Sequence, residues 1–221
     1  MRALIVADGD APARDTLERH MGVARPDLVV AADGGALKAA TLGYVADVVV
    51  GDADSLAAQA IISLREQGIE VIVHPADKDE SDTQLAVREA LQRGATELVI
   101  VGAFGGARLE HTLANILLLT LPELDGVDAV LVDDRSTVRL ATATRPVTIE
   151  GSVGDFVSLL PLTETADGVS TDGLRFGLHD GALQQGPARG LSNELTCARA
   201  SVSVGSGRLL VIHTTRNQGS T

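Results

Sequence analysis

Apolar positions in the first 133 residues fall into short Val/Ile-rich blocks separated by stretches of helical period. The blocks are "ALIVAD" (3–8), "DLVVAAD" (27–33), "VADVVVGD" (45–52), "EVIVH" (70–74), "ELVIVGA" (97–103) and "DAVLVDD" (128–134). Each is apolar on both faces, which predicts strands of a mainly parallel sheet covered on both sides. The intervening "PARDTLERHMG", "GALKAATLG", "SLAAQAIISLREQG", "DTQLAVREALQRG" and "HTLANILLLTL" predict helices, most of them stopped by Gly or Pro. The last is apolar nearly all round and is expected to be the most buried.

Beyond about residue 143 the texture changes. "PVTIEGSVGDFVSLLPLT", "GVSTDGLRFGL", "TCARASVSVG" and "RLLVIHTT" are short, partly alternating runs divided by Gly, Asp, Ser and Pro. They predict a small antiparallel β domain. The expected organisation is α/β followed by β, with an α/β domain over 1–143 and a β domain over 144–221.

The chain has 221 residues, 45% of them apolar, enough for one large or two modest cores. No apolar run approaches the roughly 20 residues of a membrane span, and "MRALIVADGD" turns acidic too soon for a signal peptide. A cytoplasmic location is the expectation. Thirty acidic against 18 basic residues, a net charge of -12, argues against nucleic acid as a partner. The single cysteine, Cys197, has no partner for a disulfide or at zinc-site spacing and reads as a small packing residue.

The acids are not scattered. Ligands of an open parallel sheet bind outside the carboxyl ends of its strands. Asp8 and Asp10 follow the first predicted strand, Asp33 with Gly34 and Gly35 the second, and Asp52 and Asp54 the third. The fourth is followed by "DKDESD" (77–82), with Asp77, Asp79, Glu80 and Asp82 around Lys78, one of only two lysines. Carboxylates this close repel unless a cation or solvent compensates them. Asp52 and Asp54, two residues apart on an extended turn, suit Mg²⁺, which takes a few carboxylates together with water and phosphate oxygens.

Ser81 and Gln84 fit a capping box, placing Asp82 in the first turn of a helix whose N-terminus also attracts phosphate. Lys78 suits either a phosphate or an ion pair with its acidic neighbours. After the fifth strand, "GAFGGARLEH" supplies Gly105 and Gly106, which let backbone approach a ligand, and Arg108, which can grip phosphate oxygens. His111 beside it reads equally as a cap, a core contact or a catalytic group. There is no P-loop, and no GxGxxG follows the first strand. These residues point to a Mg²⁺-dependent enzyme acting on a nucleotide or another phosphorylated small molecule, and leave the acceptor open.

In order along the chain, "ADGGA" (32–36), "GDADS" (51–55), "DKDESD" (77–82), "GGARLEHTLANI" (105–116), "GLRFGL" (173–178) and "GLSNE" (190–194) resemble the thiamine pyrophosphokinase family. The resemblance implies an N-terminal α/β domain and a C-terminal β-sandwich, working as a homodimer with thiamine between subunits. It also implies transfer of the pyrophosphoryl group of ATP to the hydroxyl of thiamine, giving thiamine diphosphate and AMP. By that resemblance Asp52, Asp54 and Asp82 are the Mg²⁺ and pyrophosphate-organising acids, with Asp79 beside them. Asp33 is a nucleotide-side or metal-site carboxylate; Lys78, Ser81, Arg108, Gly105 and Gly106 are phosphate contacts; Phe176, Ser192 and Asn193 belong to the thiamine pocket.

The family pattern differs at three places: Ala107 is an additional loop residue, Glu110 stands where the family has Asp, and Phe176 where it has Trp or Tyr. Three other readings share parts of the pattern: a pyrophosphokinase for another hydroxymethyl heterocycle such as a pterin, a Mg²⁺-dependent nucleotide hydrolase, and a non-catalytic thiamine or ATP binder.

Overall fold

The computed structural model describes residues 1–21, 25–52, 58–75, 77 and 79–216, and divides into two compact units, Met1–Asp134 and Arg135–Thr221.

In the first unit, β1 (Arg2–Val6), β2 (Leu28–Ala32), β3 (Val48–Asp52), β4 (Glu70–His74), β5 (Glu97–Val101) and β6 (Asp128–Val132) form a wholly parallel sheet in the order β6-β5-β1-β2-β3-β4. All six expected strands are present, and β1, β2 and β5 are buried almost throughout, as their unbroken apolar runs require. The chain runs outward from β1 to β4 and then returns to place β5 on the other side of β1. The switch in winding direction therefore lies between β1 and β5.

Helices α1 (Arg14–Met21), α2 (Gly35–Thr41), α3 (Ala58–Glu66), α4 (Asp82–Gln92) and α5 (Leu109–Leu117) connect the strands. The buried face of α4 (Thr83, Leu85, Ala86, Val87, Ala90) packs on β1, β2 and β3 and makes it the central covering helix. This corrects the expectation that α5 is the most buried. Leu109, Leu113 and Leu117 of α5 recur every four residues along one face and are 72%, 53% and 51% exposed, while Leu118 and Leu119 are buried in the short 3-10 turn that follows. An apolar circumference shows what a helix tolerates; which face is covered depends on where it lands. Among the described residues, no helix is long and apolar enough to cross a membrane.

The second unit contains two antiparallel sheets. The first has β7 (Ser136–Ala141), β9 (Phe156–Pro161), β12 (Asn193–Glu194) and β14 (Leu209–Thr214) in the order β12-β9-β14-β7. The second has β8 (Val147–Glu150), β10 (Thr165–Asp172), β11 (Gly181–Gln184) and β13 (Arg199–Ser203) in the order β11-β10-β13-β8. Alternate residues of both, among them Val157, Leu159, Leu209 and Val211 from one and Val147, Ile149, Val169 and Val202 from the other, form a single core, the arrangement of a sandwich. The expected boundary lay after residue 143. The compact units divide after Asp134 because β7 pairs with β14 over its whole length, so "STVRLA" belongs to the β unit.

One polar cluster is buried in this unit. Asp155 is 4% exposed, and its carboxylate accepts from the backbone amides of Ser152 (2.9 Å) and Arg216 (2.9 Å), with His213 Nε2 at 3.0 Å from Oδ2. Gly151 lies against the pair: a Cβ there would fall 2.7 Å from His213 Nε2 and 2.8 Å from Asp155 Oδ2.

Candidate functional site

The carboxyl ends of β1, β2 and β5 converge on a cleft of about 600 Å³, well within the usual range for small-molecule sites. Backbone hydrogen bonds join the segments after β1 and β5: Ala7 N donates to Val101 O (2.9 Å), Gly9 N to Gly102 O (2.7 Å) and Asp10 N to Phe104 O (2.7 Å). The segments after β1 and β5 are thereby fixed against each other at the edge that the ligand rule selects.

The turn after β2 packs directly beneath it. Asp33 takes a left-handed backbone (φ 50°) and donates its amide to Val50 O at 2.8 Å. A Cβ on Gly35 would lie 2.0 Å from Val6 O, so only glycine lets α2 start this close to the end of β1. From the same helix Lys38 reaches back, its ammonium donating to the carbonyls of Asp8 and Gly9 and lying 3.4 Å from Asp8 Oδ1.

The N-terminus of α4 forms another wall. Ser81 is the N-cap, with extended backbone and Oγ accepting from Gln84 N at 3.2 Å. The Gln84 side chain, which a full capping box would return to the Ser81 amide, donates to Glu80 Oε1 at 3.5 Å. Opposite lies the segment after β5. Gly105 has φ 75°, and a Cβ there would collide with the Asp10 carboxylate. Arg108 and Glu110 are mutually paired, Nε to Oε1 at 2.7 Å, and both are about two-thirds exposed. The hydrogen bond from Arg108, followed by one from its own backbone amide, holds the Glu110 carboxyl below the usual glutamate range.

Of the residues expected at the site, the cleft gathers Asp33, Ser81, Asp82, Gly105, Gly106 and Arg108. Its described lining includes neither Asp52, at the end of β3, nor the exposed Asp79; Asp54 and Lys78 lie outside the described residues. Among the described residues no three His, Cys, Asp or Glu side chains converge as a metal-binding group. The donor chemistry of Asp52 and Asp82 nevertheless fits Mg²⁺, which needs only one or two carboxylates when phosphates and water complete its octahedron.

Asn115 went unnoticed in the sequence. It is buried in α5, lines the cleft and donates Nδ2 to Ala103 O at 2.9 Å; an amide inside an apolar helix was the available signal. Lys38 carried no signal beyond the scarcity of lysine.

In the β unit, Phe176 and Asn193 line a hollow of about 310 Å³ with Leu159, Leu178, Arg189 and Leu191. The Phe176 ring is 63% exposed, with the Arg175 guanidinium 5.4 Å from its centroid. Asn193 is 8% exposed, and its amide is occupied in holding Phe176: Oδ1 accepts from Phe176 N (2.9 Å) and Nδ2 donates to Phe176 O (2.8 Å). Ser192 adopts φ 58°, donates its amide to Ser158 Oγ at 3.1 Å, and is not part of the described lining.

Two family models match: "Thiamin pyrophosphokinase, catalytic domain" over residues 22–131 and "Thiamin pyrophosphokinase, vitamin B1 binding domain" over 146–209. A thiamine pyrophosphokinase of Bacillus subtilis is 25% identical over 188 residues, 85% of this chain and 87% of that protein. Among solved structures, a thiamin pyrophosphokinase family protein from Enterococcus faecalis superposes with a TM-score of 0.81 at 28% identity, covering 98% of this chain and 100% of that one. The Candida albicans thiamin pyrophosphokinase shares the fold at 15% identity, with a TM-score of 0.77 over 96% of this chain and 88% of its own.

Proposed function

Since the chain belongs to the thiamin pyrophosphokinase family, we propose that it transfers the pyrophosphoryl group of ATP to the hydroxyl of thiamine, with Mg²⁺, releasing thiamine diphosphate and AMP. The observation that carries this reading is the cleft at the β1/β5 switch point, where the capped N-terminus of α4, Asp82, the glycine segment and Arg108 surround one volume of nucleotide size.

In this reading the polyphosphate lies against the first-turn amides of α4 and the guanidinium of Arg108, both of which favour negative charge. Asp33 stands on the nucleotide side, and Asp52, Asp54 and Asp82 are the acids assigned to Mg²⁺. The bound cation would neutralise charge developing on the phosphoryl oxygens. The thiamine oxygen forms its bond to the β-phosphorus while the bond from that phosphorus to the oxygen retained by AMP breaks. The hydroxyl proton passes to one of the clustered aspartates, among which Asp79 and Asp82 flank the N-cap of α4.

Thiamine is assigned to the hollow at Phe176, whose ring supplies a stacking face without the polar handle of Tyr or Trp. Asn193 acts through Phe176, fixing the backbone that carries the ring. The working species is read as a homodimer with thiamine between subunits.

Purified protein incubated with ATP, Mg²⁺ and thiamine is expected to yield thiamine diphosphate and AMP in equal amounts, and neither when any component is withheld. AMP formed without thiamine would identify a hydrolase instead. Phe176→Ala is expected to raise the KM for thiamine about tenfold, the scale of one lost aromatic contact, and to leave the KM for ATP within about twofold. Equal losses for both substrates would refute the assignment of the ring to thiamine.

A further inference from the structure

In the acidic segment before α4, Glu80 is held by an arginine of that helix. Ser81 and Asp82 line the cleft, whereas Glu80 is absent from its described lining. Glu80, Gln84 and Arg88 succeed one another at intervals of four and share one face of α4 and its approach. Arg88 Nη1 donates to Glu80 Oε1 and Nη2 to Glu123 Oε1 at 2.8 Å, while Gln84 Nε2 also reaches Glu80 Oε1. Glu123 belongs to the 3-10 turn Pro122–Leu124, anchored by the fully buried Leu124. Its own backbone amide and then Arg88 hold its carboxyl below the usual range. Among the described residues, the remaining guanidinium nitrogen of Arg88, Nε, is buried without a hydrogen-bond partner, and the two outer nitrogens orient the group.

We propose that Arg88 is a positioning residue for the polyphosphate cleft: by fastening Glu80 to the Pro122–Leu124 turn it withdraws that carboxylate from the acidic segment and fixes the approach to Ser81 and Asp82. The inference rests on the reading of the cleft as the nucleotide site. Each ion pair is partly exposed, so the network adds little to global stability. Its effect is local. Without Arg88, Glu80 is an uncompensated charge between Asp79 and the capped helix start, adding repulsion where a polyphosphate must enter. The planar fork that spans two carboxylates is particular to arginine.

The test is isothermal titration of the magnesium complex of a non-cleavable ATP analogue (α,β-methylene ATP, which blocks the bond this reaction breaks) into wild-type protein and the Arg88→Met, Arg88→Met/Glu80→Gln and Glu123→Gln variants. Steady-state constants for thiamine and thermal melts accompany it. Arg88→Met is expected to weaken analogue binding about tenfold, the scale of coupling within one ion-pair network, with the KM for thiamine unchanged. Adding Glu80→Gln should restore most of the loss, which general damage to packing would not allow. Glu123→Gln, which keeps both Arg88 and Glu80, should weaken binding about threefold and keeps the question answerable if Arg88→Met does not fold. Unchanged binding in Arg88→Met, absence of rescue by Glu80→Gln, or unchanged binding in Glu123→Gln when Arg88→Met cannot be isolated would overturn the positioning role alone. Failure of the wild-type protein to bind the analogue would overturn the functional reading and this inference with it.

Discussion

Asp82→Asn is expected to lower kcat for thiamine diphosphate formation by about a hundredfold or more, the scale seen when one electrostatic partner of a charged transition state is removed. The substitution keeps the shape of the side chain and deletes its charge. Asp82 is half-buried in the first turn of α4 and lines the cleft, so its carboxylate sits among groups assigned to the polyphosphate. Loss of its favourable interaction with the helix dipole costs about 0.5 kcal/mol, too little to unfold the domain. Steady-state assays paired with thermal melts separate the effects. Turnover near the wild-type value in a fully folded Asp82→Asn protein would remove Asp82 from the catalytic set.

The largest effect on stability is expected at Asp155. Asp155→Ala strips the acceptor from the amides of Ser152 and Arg216 and from the His213 ring, all inside the β unit. A destabilisation of about 3 kcal/mol is expected, because removing the shared acceptor leaves several buried donors without a partner. The pH dependence follows from the same contacts. Burial pushes the Asp155 carboxyl up, but the Ser152 and Arg216 amides and the His213 ring together outweigh it, and the net shift is below the ordinary value of 3.8. A carboxyl depressed in the folded state contributes stability that is complete above its unfolded pKa and disappears as pH falls through its folded pKa. Chemical denaturation followed from neutral pH to about pH 3 should show the wild type losing this contribution only below the ordinary aspartate range. Asp155→Ala should lack that component of acid sensitivity; an identical acid profile in both proteins would contradict the assignment.

Much of the first unit was legible because a parallel sheet covered on both sides requires unbroken apolar strands, and six such strands are separated by helical stretches. The candidate cleft was legible by the same logic, since polar residues that follow strands of a parallel sheet collect at one edge; Asp33, Ser81, Asp82 and Arg108 line it. What remained hidden depended on tertiary placement. The strand "STVRLA" is half polar, and only pairing with β14 identifies it. The leucines of α5 could not reveal which face meets the sheet. Nor could the spacing within "DKDESD" show that Glu80 is taken by an arginine two turns along the helix, a contact set by α4 and the turn that holds Glu123.

The second glycine of "ADGGA" has a consequence for reading such chains. Because the Val6 carbonyl occupies the place a Gly35 side chain would need, this letter of the motif is dictated by how closely α2 meets β1. A descendant that had lost every catalytic acid but kept the fold would still carry it. Its presence in a distant homologue is therefore evidence of shared architecture and none of retained chemistry.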